Sequence, residues 1–236
     1  MKIICKLITT KLRSFLSKEE IEIPNSGENL SNSEDILRRK QLALAAFRKM
    51  KRIWLDKHKV SLEKKIELLE SLVMSIFFYN CSCWGLRKSD LEGIESFHRQ
   101  LLRYICDIKY PDIISNKDLY KKTKCRPAQI RITISRWRYL GHALRLPEDT
   151  PPQVAMSFYF SESKEKKHRG KRCTIVTTLQ EDIVRAKRVF PEFQIQSIKT
   201  YNDLIILRQL ASDRKEWKKI SKSVVNAVEA ERQPED

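Results

Sequence analysis

Glycine is scarce in this chain, with 5 in 236 residues, and no glycine-rich turn is present to wrap the phosphates of a nucleotide cofactor. Strand-like alternation of apolar and polar residues is equally scarce, which argues against a sheet-based fold. No run approaches the roughly 18 apolar residues that a bilayer crossing demands. The longest apolar stretch, Leu68 to Tyr79, is interrupted by Glu70 and by two serines. The first residues, Met1 to Leu16, alternate lysines with short apolar runs and lack the apolar centre and cleavage site of a secretory signal. These absences predict an intracellular protein, nuclear or cytoplasmic, with reduced cysteines and no membrane partner. The six cysteines also lack a metal-binding pattern. Cys81 and Cys83 stand too close together for a zinc knuckle, Cys106, Cys125 and Cys173 have no partner two to four residues away, and His98 and His142 complete no set. No cofactor and no metal are expected.

Acidic residues are outnumbered: 47 Lys and Arg against 30 Asp and Glu give a net charge of +17. Such a surplus speaks about partners, not about fold. RNA or DNA is the first candidate and an anionic membrane the second. Apolar residues, at 41%, suffice for a core in one domain or two small ones.

What recurs instead is helical periodicity, and the expected fold is all-α. An irregular bundle of about seven to eight helices is predicted, with a disordered N-terminal segment and a basic loop. Residues 1–35 read as a flexible segment, since 17–35 is rich in Ser, Asn and Glu and contains Pro24 and Gly27. Helices fill 36–160, a basic loop spans 161–173, and further helices with a frayed tail occupy 174–236. The first helix, about Glu34 to Asp56, places Leu37, Leu44, Phe47, Met50 and Trp54 on one side and basic residues on the other. Ser61 is a candidate N-cap for a helix with Leu62, Ile66, Leu69 and Val73 on its apolar stripe. Ser89-Asp90-Leu91-Glu92 reads as a capping box before a helix burying Leu91, Ile94, Phe97, Leu101 and Ile105. A short helix follows Ser115, Thr150-Pro151-Pro152-Gln153 reads as a second capping box, and two helices are placed near 174–189 and 201–227.

The helix after Pro127 is the most informative. Arg131, Ser135, Arg138, His142 and Arg145 fall on one face, while Ile130, Ile134, Trp137, Gly141 and Leu144 form a stripe about a quarter turn away. One face can be buried while its neighbour offers guanidinium groups to a polyanion. Trp137 and Tyr139 interleave with Arg136, Arg138 and Arg145; aromatics can stack on unpaired bases, yet Trp137 is assigned to the core. The candidate phosphate-contacting residues are therefore Arg131, Arg136, Arg138, His142 and Arg145 on this helix. Arg38, Arg39, Arg48, Lys49 and Arg52 join them from the first helix, and Lys166, Lys167, Arg169, Lys171 and Arg172 from the loop.

The pattern Arg136-Trp137, Leu140-Gly141-His142, Leu144-Arg145, Pro147 and Asp149 resembles the region downstream of the polymerase core in reverse transcriptases of non-LTR retrotransposons. The resemblance extends from about residue 36 to about residue 220. It includes Ala45-Ala46-Phe47, Ile53-Trp54, Trp84, Leu101-Leu102-Arg103, Arg169-Gly170 and Asp213-Arg214 with Trp217. It implies thumb and post-thumb helices that grip a template–primer duplex or target. The family usually carries Arg-Gly-Arg-Pro and then a tryptophan in the loop, where this chain has Lys171, Arg172 and Cys173 followed by Ile175 and Val176. A polymerase needs carboxylates holding two metal ions about 4 Å apart. No Asp-Asp dipeptide occurs, Glu181-Asp182 lies in a helical pattern, and Glu34-Asp35 lies at the edge of the linker. The expectation is a reverse-transcriptase-derived piece, not an enzyme, that binds RNA or DNA electrostatically. A co-opted module for a protein partner and a relic of a mobile element are the alternatives; the oligomeric state is not legible.

Overall fold

A computed structural model of the chain describes residues 32–56, 59–161 and 174–232. Among these residues there is no strand, and eleven α-helical segments follow one another. The all-α expectation holds, with more and shorter helices than periodicity suggests. The expected basic loop, with Lys166, Lys167, Arg169, Lys171 and Arg172, lies outside the described residues, as does most of the expected N-terminal segment. No helix among the described residues is long and apolar enough to cross a membrane. The chain divides into two units, Met1–Phe77 and Phe78–Asp236.

In the first unit, α1 (Asn32–Lys49) is followed by α2 (Lys51–Leu55), α3 (Leu62–Leu68), a π-helical turn (Leu69–Val73) and α4 (Met74–Phe77). The single helix expected over 34–56 breaks at Met50, whose φ of −96° and ψ of 13° leave the helical region. The break lets Trp54 fold back, so that its indole donates to the Phe47 carbonyl at 2.8 Å and stacks on the Phe47 ring at 5.1 Å. The buried face of α1 is Ile36, Ala43, Ala46 and Phe47, while Leu37, expected inside, is 58% exposed. Ser61 caps α3 as expected, accepting from the Lys64 amide at 3.3 Å. The wider π turn and the start of α4 bury Leu72, Val73 and Met74 in succession.

The second unit holds α5 (Lys88–Ile105), α6 (Asn116–Thr123), α7 (Ala128–Leu144), α8 (Pro151–Ser161), α9 (Ile175–Val189), α10 (Tyr201–Ser212) and α11 (Arg214–Glu231). Asp90 starts α5 by accepting from the Arg87 amide at 3.1 Å, slightly earlier than the capping box at Ser89 implies. Ser115 caps α6 as expected. The one helix expected over 201–227 is two, because Asp213 leaves the helix and its carboxylate accepts from the Lys215 amide at 2.7 Å and the Glu216 amide at 3.3 Å. At α8 the expected capping box does not form. Gln153 is buried and donates to the Ala143 carbonyl at 2.7 Å, tying α8 to the end of α7. The core of this unit gathers Trp137, Leu140 and Leu144 of α7 with Leu179 and Ile183 of α9. Leu204 and Leu207 of α10 and Trp217, Ile220 and Val224 of α11 complete it.

Candidate nucleic-acid interface

The arginine-bearing helix, α7, is held in place by two tryptophans and one carboxylate. At Gly141 the absence of a side chain admits the Trp217 indole of α11, which occupies the space a Cβ would need. That indole donates to the Trp137 carbonyl at 3.0 Å, and the two rings lie 5.7 Å apart. Beneath them Asp182 of α9, 1% exposed, accepts from Arg136 Nη1 at 2.8 Å, Trp137 Nε1 at 3.0 Å and Arg185 Nη1 at 3.3 Å. Arg136 is therefore a correction to the expected phosphate-facing set. It is 4% exposed, it lies on the same helical row as Ile132, Thr133, Leu140 and Ala143, and its charge is met inside the protein.

A second buried carboxylate sets the start of α7. Pro127 offers no capping side chain, and Glu95 of α5 takes that role by accepting from the Gln129 amide at 2.9 Å. Glu95 also accepts from Tyr120 at 2.7 Å and Arg232 at 3.0 Å, with Arg99 at 3.6 Å. Burial, reinforced by Glu95, pushes the Tyr120 phenol well above its ordinary range. His98, fully buried beside it with ring centroids 5.9 Å apart, is pushed down to about 4, chiefly by burial and opposed by Glu95. Glu95 and His98, at the centre of this cluster, are buried away from solvent.

The outward side of α7 meets α11 in a groove of about 570 Å³. Arg138 and Arg145 line it from α7, Arg126 from the segment before that helix, and Arg214, Lys218 and Lys222 from α11. Its floor is Ile134, Trp217 and Val225, and Glu229 is its one carboxylate. Among the described residues no carboxylate pairs with Arg126, Arg138, Arg214, Lys218 or Lys222. Arg145 is anchored by donating to the Ala211 carbonyl at 3.1 Å. Partial burial and the neighbouring Arg214 both hold its pKa below the usual range. A second cavity, of about 420 Å³ between α5, α7 and α9, has two carboxylates, Glu181 and Asp182, against four cations. The first groove is the more one-sided.

The structure thus brings together Arg138 and Arg145 of the expected stripe. His142 is exposed on the adjoining strip of α7, and Arg131 is half-buried, 4.6 Å over the Phe78 ring, with desolvation lowering its pKa. In the first unit Arg48, Lys49 and Arg52 are exposed near the junction of α1 and α2; Arg38 is half-buried, and Arg39 pairs with Asp35 at 2.9 Å. Periodicity missed Arg126, Arg214, Lys218 and Lys222. The last three recur every fourth residue, a helical stripe that was there to be found. Cys81, Cys83, Cys106 and Cys125 are free thiols. Comparison with protein-family models, with curated proteins and with solved structures finds no match for this chain.

Proposed function

We propose that the chain binds RNA or DNA through phosphate contacts in the groove between α7 and α11, with no chemistry of its own. The observation that carries this reading is the lining of six cations against one carboxylate. Like charges held that close repel, and a polyanion relieves the repulsion while releasing its own counter-ions. The resemblance of residues 36–220 to the helices that follow a reverse-transcriptase polymerase core supports the same reading, as a module derived from such an element. The exposed cations Arg48, Lys49 and Arg52 of the first unit are further candidates for phosphate contact.

A salt titration of binding tests it. The logarithm of affinity should fall with the logarithm of salt by about 0.7 for each phosphate neutralised on a single strand and about 0.9 on a duplex. Full engagement of the six cations then gives a slope of roughly −4 on a strand. Replacing three exposed members, Arg138→Glu with Lys218→Glu and Lys222→Glu, should weaken binding at least about a hundredfold at low salt while circular dichroism shows the helices intact. No retention of RNA or DNA at low salt, or undiminished binding by the triple variant, refutes the proposal.

A further inference from the structure

The groove has a character that cations alone do not give it. Its walls are charged, but its floor is apolar, built from Ile134, Trp217 and Val225. The floor is also rigid, because Trp217 is pinned by its hydrogen bond to the Trp137 carbonyl at 3.0 Å. Trp217 is only 4% exposed, so the apolar surface open to an occupant comes mainly from the half-buried Ile134 and Val225. From these features, and resting on the nucleic-acid reading above, we infer that the groove takes an unpaired strand in preference to a duplex.

A duplex turns its phosphates outward on a convex surface and keeps its base faces stacked inside. It has nothing apolar to set against Ile134, Trp217 and Val225, and seating it would leave that floor wet beneath a bridge of phosphates. An unpaired strand carries both chemistries the groove asks for: a phosphodiester line for the walls and free base faces for the floor. Size agrees. The groove is open along one side, and its volume of about 570 Å³ has room for roughly one base over the apolar residues while neighbouring phosphates lie along the cations. Tyr139 supplies an exposed aromatic surface nearby. It is 41% exposed, follows Arg138 directly and lies one turn before His142, on the exposed strip of α7 outside the groove's lining. A strand that leaves the groove past Arg138 and follows α7 crosses this ring, which can stack on one of its bases.

The experiment compares the full chain in fluorescence anisotropy against three labelled probes at one low salt concentration. These are an unstructured pyrimidine oligonucleotide of about twelve residues, the blunt duplex of the same length, and polyglutamate of matching charge. The inference expects the strand to bind at least about tenfold tighter than either of the others. Tyr139→Ala should weaken strand binding by about five- to tenfold, with Tyr139→Phe restoring it, since a ring is required and a hydroxyl is not. Duplex binding as tight as strand binding overturns the inference and leaves the broader nucleic-acid reading standing. Polyglutamate binding as tight as the strand overturns it as well, because charge alone would then govern. A Tyr139→Ala protein that binds the strand undiminished does the same. Failure of strand and duplex alike overturns the broader reading, and this one with it.

Discussion

Gly141 is the position where local and tertiary preferences oppose each other most directly, and Gly141→Ala separates them by sign. On helix propensity alone alanine is favoured in the last turn of α7, where Gly141 lies, by at most about 1 kcal/mol. Packing says otherwise. A Cβ at 141 would lie 2.7 Å from Cε2 of Trp217 and nearer still to Cδ1 and Nε1, far inside ordinary contact. The indole cannot swing aside without cost, since it donates to the Trp137 carbonyl at 3.0 Å and lies 5.7 Å from the Trp137 ring in a packed core. Overpacking of this kind costs about 1–3 kcal/mol, and breaking the indole hydrogen bond adds about 1 kcal/mol. After the propensity gain the variant should be less stable by about 1–3 kcal/mol. That corresponds to a melting temperature lower by about 3–10 °C. Urea unfolding followed by circular dichroism measures the difference, with the slope of the transition as a check that the unfolded state is unchanged. Pairing Gly141→Ala with Trp217→Leu should cancel at least about 1 kcal/mol of the loss, because the clash is then removed. A single variant as stable as the parent, or more so, would refute the argument and show that α7 and α11 do not meet as closely as described.

Two other perturbations address the buried charges. Asp182→Ala strips the partner from Arg136 and from the Trp137 indole, and should cost about 3–5 kcal/mol of unfolding free energy measured in urea. Arg136→Met combined with Asp182→Leu should recover most of that, and a cost below about 1 kcal/mol for the single change would show the pair to be unimportant. His98 predicts a pH dependence. Its folded pKa of about 4 lies below the ordinary histidine value of 6.5, so between those values the unfolded chain binds more protons. Its contribution to stability is complete above pH 6.5, declines as pH falls toward 4, and amounts to about 3 kcal/mol over that window. Urea midpoints measured across the window should lose that slope in His98→Phe; an identical slope in both proteins would assign it elsewhere.

Much of the helical framework is legible locally. Pro127 and Pro147 bracket α7, Ser61 and Ser115 cap where their spacing says, and Ile94, Phe97, Leu101 and Ile105 turn inward as a single stripe should. The breaks at Met50 and Asp213 are not legible, because the apolar spacing of Leu204, Leu207 and Ala211 continues approximately into Trp217, Ile220 and Val224. Only the geometry shows Asp213 facing its own downstream amides. Arg136 misleads for a related reason: on its own helix it is one more cation in a basic row, and the carboxylate that buries it sits 46 residues away. Glu95 is likewise invisible to periodicity, since it caps a helix that begins 33 residues after it. The groove is half legible. Arg138 and Arg145 announce themselves on α7, whereas the α11 cations gain meaning only once Gly141 brings that helix alongside.

Trp217 belongs at once to the packed interior and to the floor of the groove. An occupant settling there would alter the polarity around an indole that is already hydrogen-bonded to the main chain of α7. The protein consequently carries its own label: the wavelength and yield of its ultraviolet emission should report arrival at that floor, where groups meeting only the rim would leave them as they were.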